Sequence, residues 1–407
     1  MDRVDVVIAG GGLNGPALAL ALARAGLGVC VADPRPPGPR GRAGFDGRAY
    51  SLAAASQRLL AAIGVWEGVA AEAQPILGVR TTDARPGTGA GPFAMAFDHA
   101  EIEEGPMGFM LEDRHLHAAL RAAMAATPGI VLADGAAVAG HAAGPARVRV
   151  GLSDGREVEA ALLVGADGRG GAVAAQAGIA RVGHDYGQDA VTTAIAHEGE
   201  HGGIARQVFL PGGPLAILPL RGRRSSIVWT EARAAARLIH GLDAADFAAL
   251  LAERIGPDLG AIAPEGARHI YPLSLSLAQS YRAARVALVG DAAHGVHPIA
   301  GQGLNLGLRD VAALAEVLVA ARRRGEDIGG DIPLAAYEHW RRPDATLLAL
   351  GMDGVNRLFS NDAAPLRALR GLGMAAVSGL PALRRAFIRE AAGLAGDVPR
   401  LLTGRPL

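Results

Sequence analysis

The sequence predicts an α/β protein in which a parallel, Rossmann-like domain is interrupted by a mostly antiparallel sheet and followed by a helical C-terminal region. Three observations predict it: a glycine-rich turn between an apolar run and an Ala/Leu-rich stretch near the N-terminus, two central regions of short strand-like pieces punctuated by Gly and Pro, and helical patterning almost from Gly301 to the end.

The apolar run at residues 4–8 has the character of a buried parallel strand, and residues 16–25 are rich in Ala and Leu. The glycines of Gly10-Gly-Gly-Leu-Asn-Gly15 therefore sit between strand and helix. Gly10 can make the tight turn, Gly12 lets the backbone approach a phosphate, and Gly15 lets the helix pack on the strand, while free N–H groups and the helix dipole attract the anion. A second apolar run, residues 28–32, ends in Asp33, eighteen positions after Gly15, where a ribose-binding carboxylate is expected. Residues 34–42 read as a Pro/Gly/Arg loop, and residues 53–63 and 113–126 as helices, the second with Asp113 at its start and Leu116 and Leu120 on one face. Alternating runs at 146–152 and 158–164 flank Ser153-Asp-Gly-Arg156, whose Asp-Gly pair predicts a hairpin turn, and the second run leads into Gly165-Ala-Asp-Gly-Arg169.

From about 76 to 111, and from about 181 to 275, strand-like pieces such as 190–196, 215–220 and 226–230 read as a second, mostly antiparallel sheet. Residues 285–290 then restore the buried-strand character of the first domain. The expected organisation is a nucleotide domain of residues 1–75, 112–180 and 276–342, a substrate-binding domain of 76–111 and 181–275, and a helical region of 343–407. The segment from Gly290 through Asp291, His294, Pro298, Gly301 and Gly303 to Asn305 offers a carboxylate, an imidazole and another glycine-opened helix start, which suits the far end of an extended flavin dinucleotide.

Composition narrows the alternatives. The 407 residues are half hydrophobic, enough for two domains with substantial cores, and a formal charge of zero gives nucleic acid no footing as a partner. All 40 Lys/Arg residues are arginines. A lysine Schiff base and a P-loop lysine are thereby excluded. The single cysteine, Cys30, lies in the second apolar run and reads as a core residue, which removes an internal redox disulfide and argues against a thiolate zinc site. Residues 6–23 carry no charge over eighteen positions, but Gly10 to Gly12, Asn14 and Pro16 argue against a membrane span. The N-terminus has no secretory-signal pattern, so the cytoplasm is the expected compartment.

Taken in order, Gly10-x-Gly12-x-x-Gly15, Ala166-Asp-Gly-Arg169, and Gly290-Asp291 with His294, Pro298, Gly301, Gly303 and Asn305 resemble the motifs of flavin-dependent aromatic hydroxylases of the para-hydroxybenzoate hydroxylase fold. Within that group the chain resembles the ubiquinone-biosynthesis hydroxylases, through Arg48-Ala-Tyr-Ser-Leu52, Gly213-Pro-Leu-Ala-Ile-Leu-Pro219 with Ser226-Ile-Val-Trp-Thr230, and Asn356-Arg-Leu-Phe-Ser-Asn-Asp362. The likeness covers nearly the whole chain. It implies a Rossmann-like FAD-binding domain of the GR2 type, FAD as cofactor, NAD(P)H or another reductant as electron donor, and O2 as co-substrate.

The resemblance also implies roles. Asp33 would hold the adenosine ribose, the amides around Gly12, Leu13, Asn14 and Gly15 the pyrophosphate, and Arg48 and Arg114 would approach the phosphates and linker, where guanidinium contacts are charge-assisted. Asp291, after Gly290, would accept from the ribityl chain. Leu304 and Asn305, past Gly303, would point backbone N–H groups at the flavin pyrimidine. Pro298 and Gly301 would lie on the loop beside the ring where oxygen reacts. Asp167 would serve nicotinamide and flavin binding, although Gly170-Gly171 stand where relatives usually carry a polar residue such as Ser. No general base is assigned.

The implied function is hydroxylation of the ring of a polyprenylated phenol in ubiquinone biosynthesis through a flavin C4a-hydroperoxide. An isoprenoid-directed flavin reductase or epoxidase shares every FAD motif, and a weakly catalytic flavin-binding component of a quinone-biosynthesis complex is the reading from another class. Halogenases are disfavoured by the missing lysine. His294, His297 and Asp291 lie close in sequence but in a Pro/Gly loop that flavin explains better than metal. Residues 337–342 read as a solvated or interdomain helix face. The region after Pro343 has eight arginines against five acidic residues, and reads either as a helical lid or as a peripheral contact with the inner membrane.

Overall fold

Short β-branched runs without charge build the centre of the molecule. In the computed structural model, which describes residues 2–36, 45–85, 89–360 and 364–407, the strands Val6–Ala9, Val29–Asp33, Leu162–Gly165 and Val286–Leu288 are buried along their whole length. The predicted loop beyond residue 36, and Asn361 and Asp362 of the last signature, lie outside the described residues.

The six-stranded sheet runs Arg282–Ala283, Val286–Leu288, Leu162–Gly165, Val6–Ala9, Val29–Asp33, Ile130–Asp134, parallel except for the hairpin at its 282–288 edge. Burial on both faces explains why these strands read as unbroken apolar runs rather than as alternations. The helices Asn14–Arg24, Asp113–Ala126 and Gln302–Arg323 pack into the same core, with Leu18, Leu22, Leu116, Leu120, Leu314 and Leu318 all buried.

One sequence expectation divides here. The run at 158–164 is two strands in two sheets: Glu157–Ala160 pairs with Val148–Leu152, whereas Leu162–Gly165 pairs with Val6–Ala9. The crossover is fixed at Ala161, whose N–H donates to the Asp5 carbonyl at 3.0 Å and whose carbonyl accepts from Arg285 Nη1 at 3.0 Å. Those long-range partners are invisible to local periodicity.

The second large sheet has eight strands in the order His294–Gly295, Ile262–Ala278, Arg181–His197, Arg224–Ala232, Gly213–Leu220, Ile204–Leu210, Gly78–Arg85, Gly89–Asp98. Every pairing is antiparallel except Ile204–Leu210 on Gly78–Arg85. Two helices, Arg233–Gly241 and Ala244–Ile255, lie in a region that reads from sequence as strand-like pieces. Asp243 starts the second by accepting from the Asp246 amide at 2.8 Å, and Ala236, Ile239, Phe247 and Leu251 bury against Ile217, Ile227 and Trp229 on one face of the sheet. The opposite face looks toward the C-terminal helices.

The helix Asp331–Phe359 continues through Pro343 without a break. Of the two faces expected for its Tyr337–Arg342 stretch, solvated or interdomain, the packed one is found: Arg341 is 1% exposed and Tyr337 donates to the Leu288 carbonyl at 2.7 Å, joining the helix to the parallel sheet. Helices Ala364–Gly379 and Pro381–Ala391 follow.

Candidate functional site

The parallel strands Val6–Ala9, Leu162–Gly165 and Val286–Leu288 all end at one edge of the sheet, so Gly10, Ala166-Asp167 and Gly290-Asp291 arrive there together. In open parallel sheets that edge is where ligands bind.

The first turn is held by backbone proximity. Gly10 has φ +111°, and a Cβ there would lie 2.4 Å from the Ala166 carbonyl oxygen; a Cβ on Gly15 would lie 1.9 Å from the Gly10 carbonyl oxygen. Gly12 has nothing within 4 Å of its Cβ position, so this glycine keeps an approach clear rather than relieving a clash. The helix that follows has no side-chain cap and no acidic residue in its first turn, which leaves its amides available to an anion. Leu13 is buried at the helix start, and Asn14 turns its side chain inward. A Cβ on Gly290 or Gly307 would come within 2.2 or 2.3 Å of Asn14 Nδ2, so the amide fills a notch those two glycines make.

Asp33 closes its strand beside this turn. Its Oδ2 accepts from the Gly11 amide at 2.6 Å and its Oδ1 from the Arg35 amide at 2.8 Å and Arg35 Nε at 3.1 Å. Burial disfavours its charge, but the Arg35 and Gly11 hydrogen bonds outweigh burial and hold its pKa below the ordinary value. Asp167, next to Gly10, accepts from the Val173 amide at 3.1 Å, and burial raises its pKa. A Cβ on Gly171 would overlap the Asp167 carboxyl, 2.0 Å from Cγ, so this position must stay glycine for Asp167 to sit where it does.

The second glycine segment is held by remote side chains. Asp310, fully buried on the helix Gln302–Arg323, accepts from the Gly290 amide at 3.0 Å, from His294 Nε2 at 2.5 Å and from Arg341 Nε at 2.9 Å. Burial works against its ionisation, yet His294, Arg341 and the Gly290 amide together lower its pKa. His294 is thus partnered by Asp310 rather than by Asp291. Asp291 stays partly exposed and meets Arg169 Nε at 3.3 Å, while Arg169 Nη2 donates to the Val296 carbonyl at 2.9 Å.

Pro298, Ile299 and the residues from Gly301 to Leu304 are partly exposed, with buried residues before and after them. Gly301 takes φ +63°, with its Cβ position 2.9 Å from Ser51 Cβ, and Gly303 is open. Asn305 spends its side chain on locking the helix start: Oδ1 accepts from the Ala53 amide at 2.8 Å and Ser56 Oγ at 2.7 Å, and Nδ2 donates to the Ser51 and Gly301 carbonyls at 2.9 and 3.1 Å. The helix begins with no acidic residue in its first turn, which suits an anionic ring edge at its amides.

Arg48 and Arg114 stand in a denser charge cluster than their motif suggests. Arg48 is bound by Asp46 at 2.6 Å and lies 3.5 Å from Asp113; Arg114 Nε donates to Glu112 at 2.7 Å. Glu112 also accepts from Arg224 Nη1 at 3.0 Å, and the Phe45 ring carries the Arg224 guanidinium at 4.6 Å and that of Arg114 at 5.8 Å. Glu112 and Arg224 escaped the sequence reading because they lie on strands of different sheets, 112 positions apart, and meet only through folding. His297 also escaped it as a site residue, although it adjoins Pro298. Its ring is 0% exposed and edge-on to Tyr186 at 5.1 Å, neither nitrogen has a hydrogen-bond partner among the described residues, and burial, reinforced by Arg169, depresses its pKa to about 4.

A family model described as an FAD binding domain matches residues 3–349. The ubiquinone hydroxylase UbiL of Rhodospirillum rubrum is 46% identical over 100% of this chain and 94% of its own length, and the 3-demethoxyubiquinol 3-hydroxylase of Escherichia coli is 35% identical over 96% of this chain and 98% of its own. The crystal structure of the p-nitrophenol 4-monooxygenase PnpA of Pseudomonas putida superposes with a TM-score of 0.79 at 20% identity, covering 98% of this chain and all of that one, a likeness of fold.

Proposed function

The chain belongs to the FAD-binding domain family, and from that premise we propose that it is an FAD-dependent monooxygenase that hydroxylates the ring of a polyprenylated phenol in ubiquinone biosynthesis. The observation that carries this reading is the full-length 46% identity to a ubiquinone hydroxylase in a chain whose three flavin motifs meet at one sheet edge.

The residues at that edge fit the dinucleotide. The clear approach at Gly12, two helix starts without acidic first turns and the carboxylates of Asp33 and Asp291 match its phosphates and two polyol segments. When bound, FAD supplies the redox chemistry and the activation of O2, with NAD(P)H or another reductant as electron donor. In this assignment Asp33 exchanges Arg35 for the ribose hydroxyls, Asp291 accepts from the ribityl chain, and Arg48 and Arg114 face the phosphates and linker. The amides of Leu304 and Asn305 stabilise negative charge at the pyrimidine end, and the loop at Pro298 keeps water from the reacting ring. The nucleotide unit of 1–75, 112–180 and 276–342 presents this cradle to the sheet of 76–111 and 181–275.

No helix among the described residues is long and apolar enough to cross a membrane. A peripheral contact is supported by Leu380, Leu383 and Phe387, which are 55%, 38% and 50% exposed at the helix Pro381–Ala391 beside Arg385 and Arg389.

Purified protein should be yellow, and cells lacking it should accumulate a polyprenylphenol or demethoxyquinone that the wild-type gene clears. Unchanged quinone intermediates would overturn the ubiquinone reading.

A further inference from the structure

On the face of the eight-stranded sheet turned toward the C-terminal helices, Thr192, Val228, Ala216 and Gln207 stand opposite one another in register across four adjacent strands. Residues opposed in a sheet share a face, so these four form one row. All four are partly exposed, whereas one neighbouring row is closed at Ala190 and Thr230, 2% and 1% exposed, and the other at Ala194 and Ser226, 0% and 3%, opening only at Leu218. The row is a strip of accessible surface with mostly buried flanks. Thr192 Oγ1 and Gln207 Nε2, at its two ends, are buried atoms with no hydrogen-bond partner among the described residues. Burying such orphans is costly, and they call for an explanation.

The three signatures that the flavin does not use converge here. Val228 belongs to Ser226-Ile-Val-Trp-Thr230 and Ala216 to Gly213-Pro-Leu-Ala-Ile-Leu-Pro219. Asn356, from the third, donates to Gln188 Oε1 at 3.0 Å on the strand that carries Thr192, and Phe359 stacks at 4.0 Å on Phe209, two residues beyond Gln207.

We propose that Thr192 and Gln207 are specificity-determining residues that hydrogen-bond oxygen substituents on opposite sides of the aromatic ring, over a floor made by Val228 and Ala216. This rests on the ring-hydroxylase reading above and names the groups that read the ring. Three strand spacings separate the two end strands by roughly 14 Å, a span that a ring with an oxygen on each side and a hydrogen bond beyond each oxygen would bridge. Gln207 donates to a ring oxygen and the Thr192 hydroxyl donates or accepts. The four-residue strip holds no ionisable group, so a ring bearing a carboxylate would be buried there without a counter-charge, and a neutral oxygenated ring is selected.

The test titrates the purified flavoprotein with a prenylated methoxyphenol and with the matching prenylated benzene that lacks ring oxygens, reading perturbation of the flavin spectrum. Thr192→Val and Gln207→Leu should each weaken the phenol about tenfold and leave the oxygen-free compound within about twofold, as loss of one hydrogen bond predicts. Thr192→Ser, which keeps the hydroxyl, should retain phenol affinity, and Ala216→Leu, which fills the floor, should weaken both compounds. Flavin content in each variant confirms folding. Unchanged phenol affinity in both Thr192→Val and Gln207→Leu, or equal weakening of the two compounds, overturns the assignment of these residues. A wild-type protein that binds no oxygenated ring overturns the ring-hydroxylase reading itself.

Discussion

The two glycine segments do similar work by opposite means. At Gly10 to Gly15 the close contacts of Gly10 and Gly15 are backbone against backbone, with one side-chain bond beside them, from the Gly11 amide to Asp33 Oδ2. At Gly290 to Asn305 the chain is suspended from groups that come from elsewhere: the Asp310 carboxylate, itself bound by Arg341, the Ser51 carbonyl and the Ser56 hydroxyl. A turn held by its own atoms tolerates change around it, whereas one held by remote carboxylates and arginines depends on residues that no local motif contains.

The contrast can be broken most sharply at Gly15. Gly15→Ala would place a methyl against a carbonyl oxygen that cannot move, and a loss above about 3 kcal/mol with no recoverable flavin protein is expected. Gly12→Ala, with open space around it, should instead leave the melting temperature of the flavin-free protein within about two degrees while lowering flavin content. Equal melting losses in the two would refute the division between steric and functional glycines.

On the other side, Asp310→Asn leaves buried Arg341 with Asp344 but without its buried carboxylate, and should cost about 3 kcal/mol in denaturant unfolding. Because the folded pKa of Asp310 is lowered, its contribution is complete above the unfolded carboxylate pKa and disappears as pH falls through the folded value, so the gap between wild type and variant should close only in strong acid. His297 behaves differently. Its folded pKa of about 4 lies below the unfolded 6.5, so the unfolded chain binds the extra proton between those values and stability should fall as pH drops from 6.5 to 4, by up to about 3 kcal/mol. His297→Phe should flatten that slope in unfolding curves measured across the interval.

Smaller effects concern affinity. Asp291→Ala should strip FAD, weakening it roughly 10- to 100-fold by equilibrium dialysis as expected for lost hydrogen bonds to a charged group. Asp33→Asn should weaken FAD by about tenfold or less, since an amide still accepts from a ribose hydroxyl. Normal flavin occupancy in Asp291→Ala would contradict its place in the cradle.

The same division governs what the sequence discloses. The strand, turn and helix at residues 4–25 and the helix Asp113–Ala126 follow from periodicity and glycine spacing, because the forces that shape them are local. The helices Arg233–Gly241 and Ala244–Ile255 were masked by a Gly/Pro-punctuated setting. Whether Arg341 faced solvent or another part of the molecule stayed open in the sequence because its buried carboxylate partner, Asp310, lies 31 positions away. Likewise Glu112 and Arg224 give no hint of one another until the second sheet docks.

The amide of Asn14, wedged at Gly290 and Gly307, sets an order of events in time. A ribosome finishes the first turn almost at once, but some three hundred further residues must emerge before the notch that receives Asn14 exists. During synthesis the N-terminal turn is an unfinished half, and the nascent chain cannot capture its dinucleotide early. Cofactor loading is thereby tied to arrival of the C-terminal third, so a truncated or stalled chain would be released without flavin.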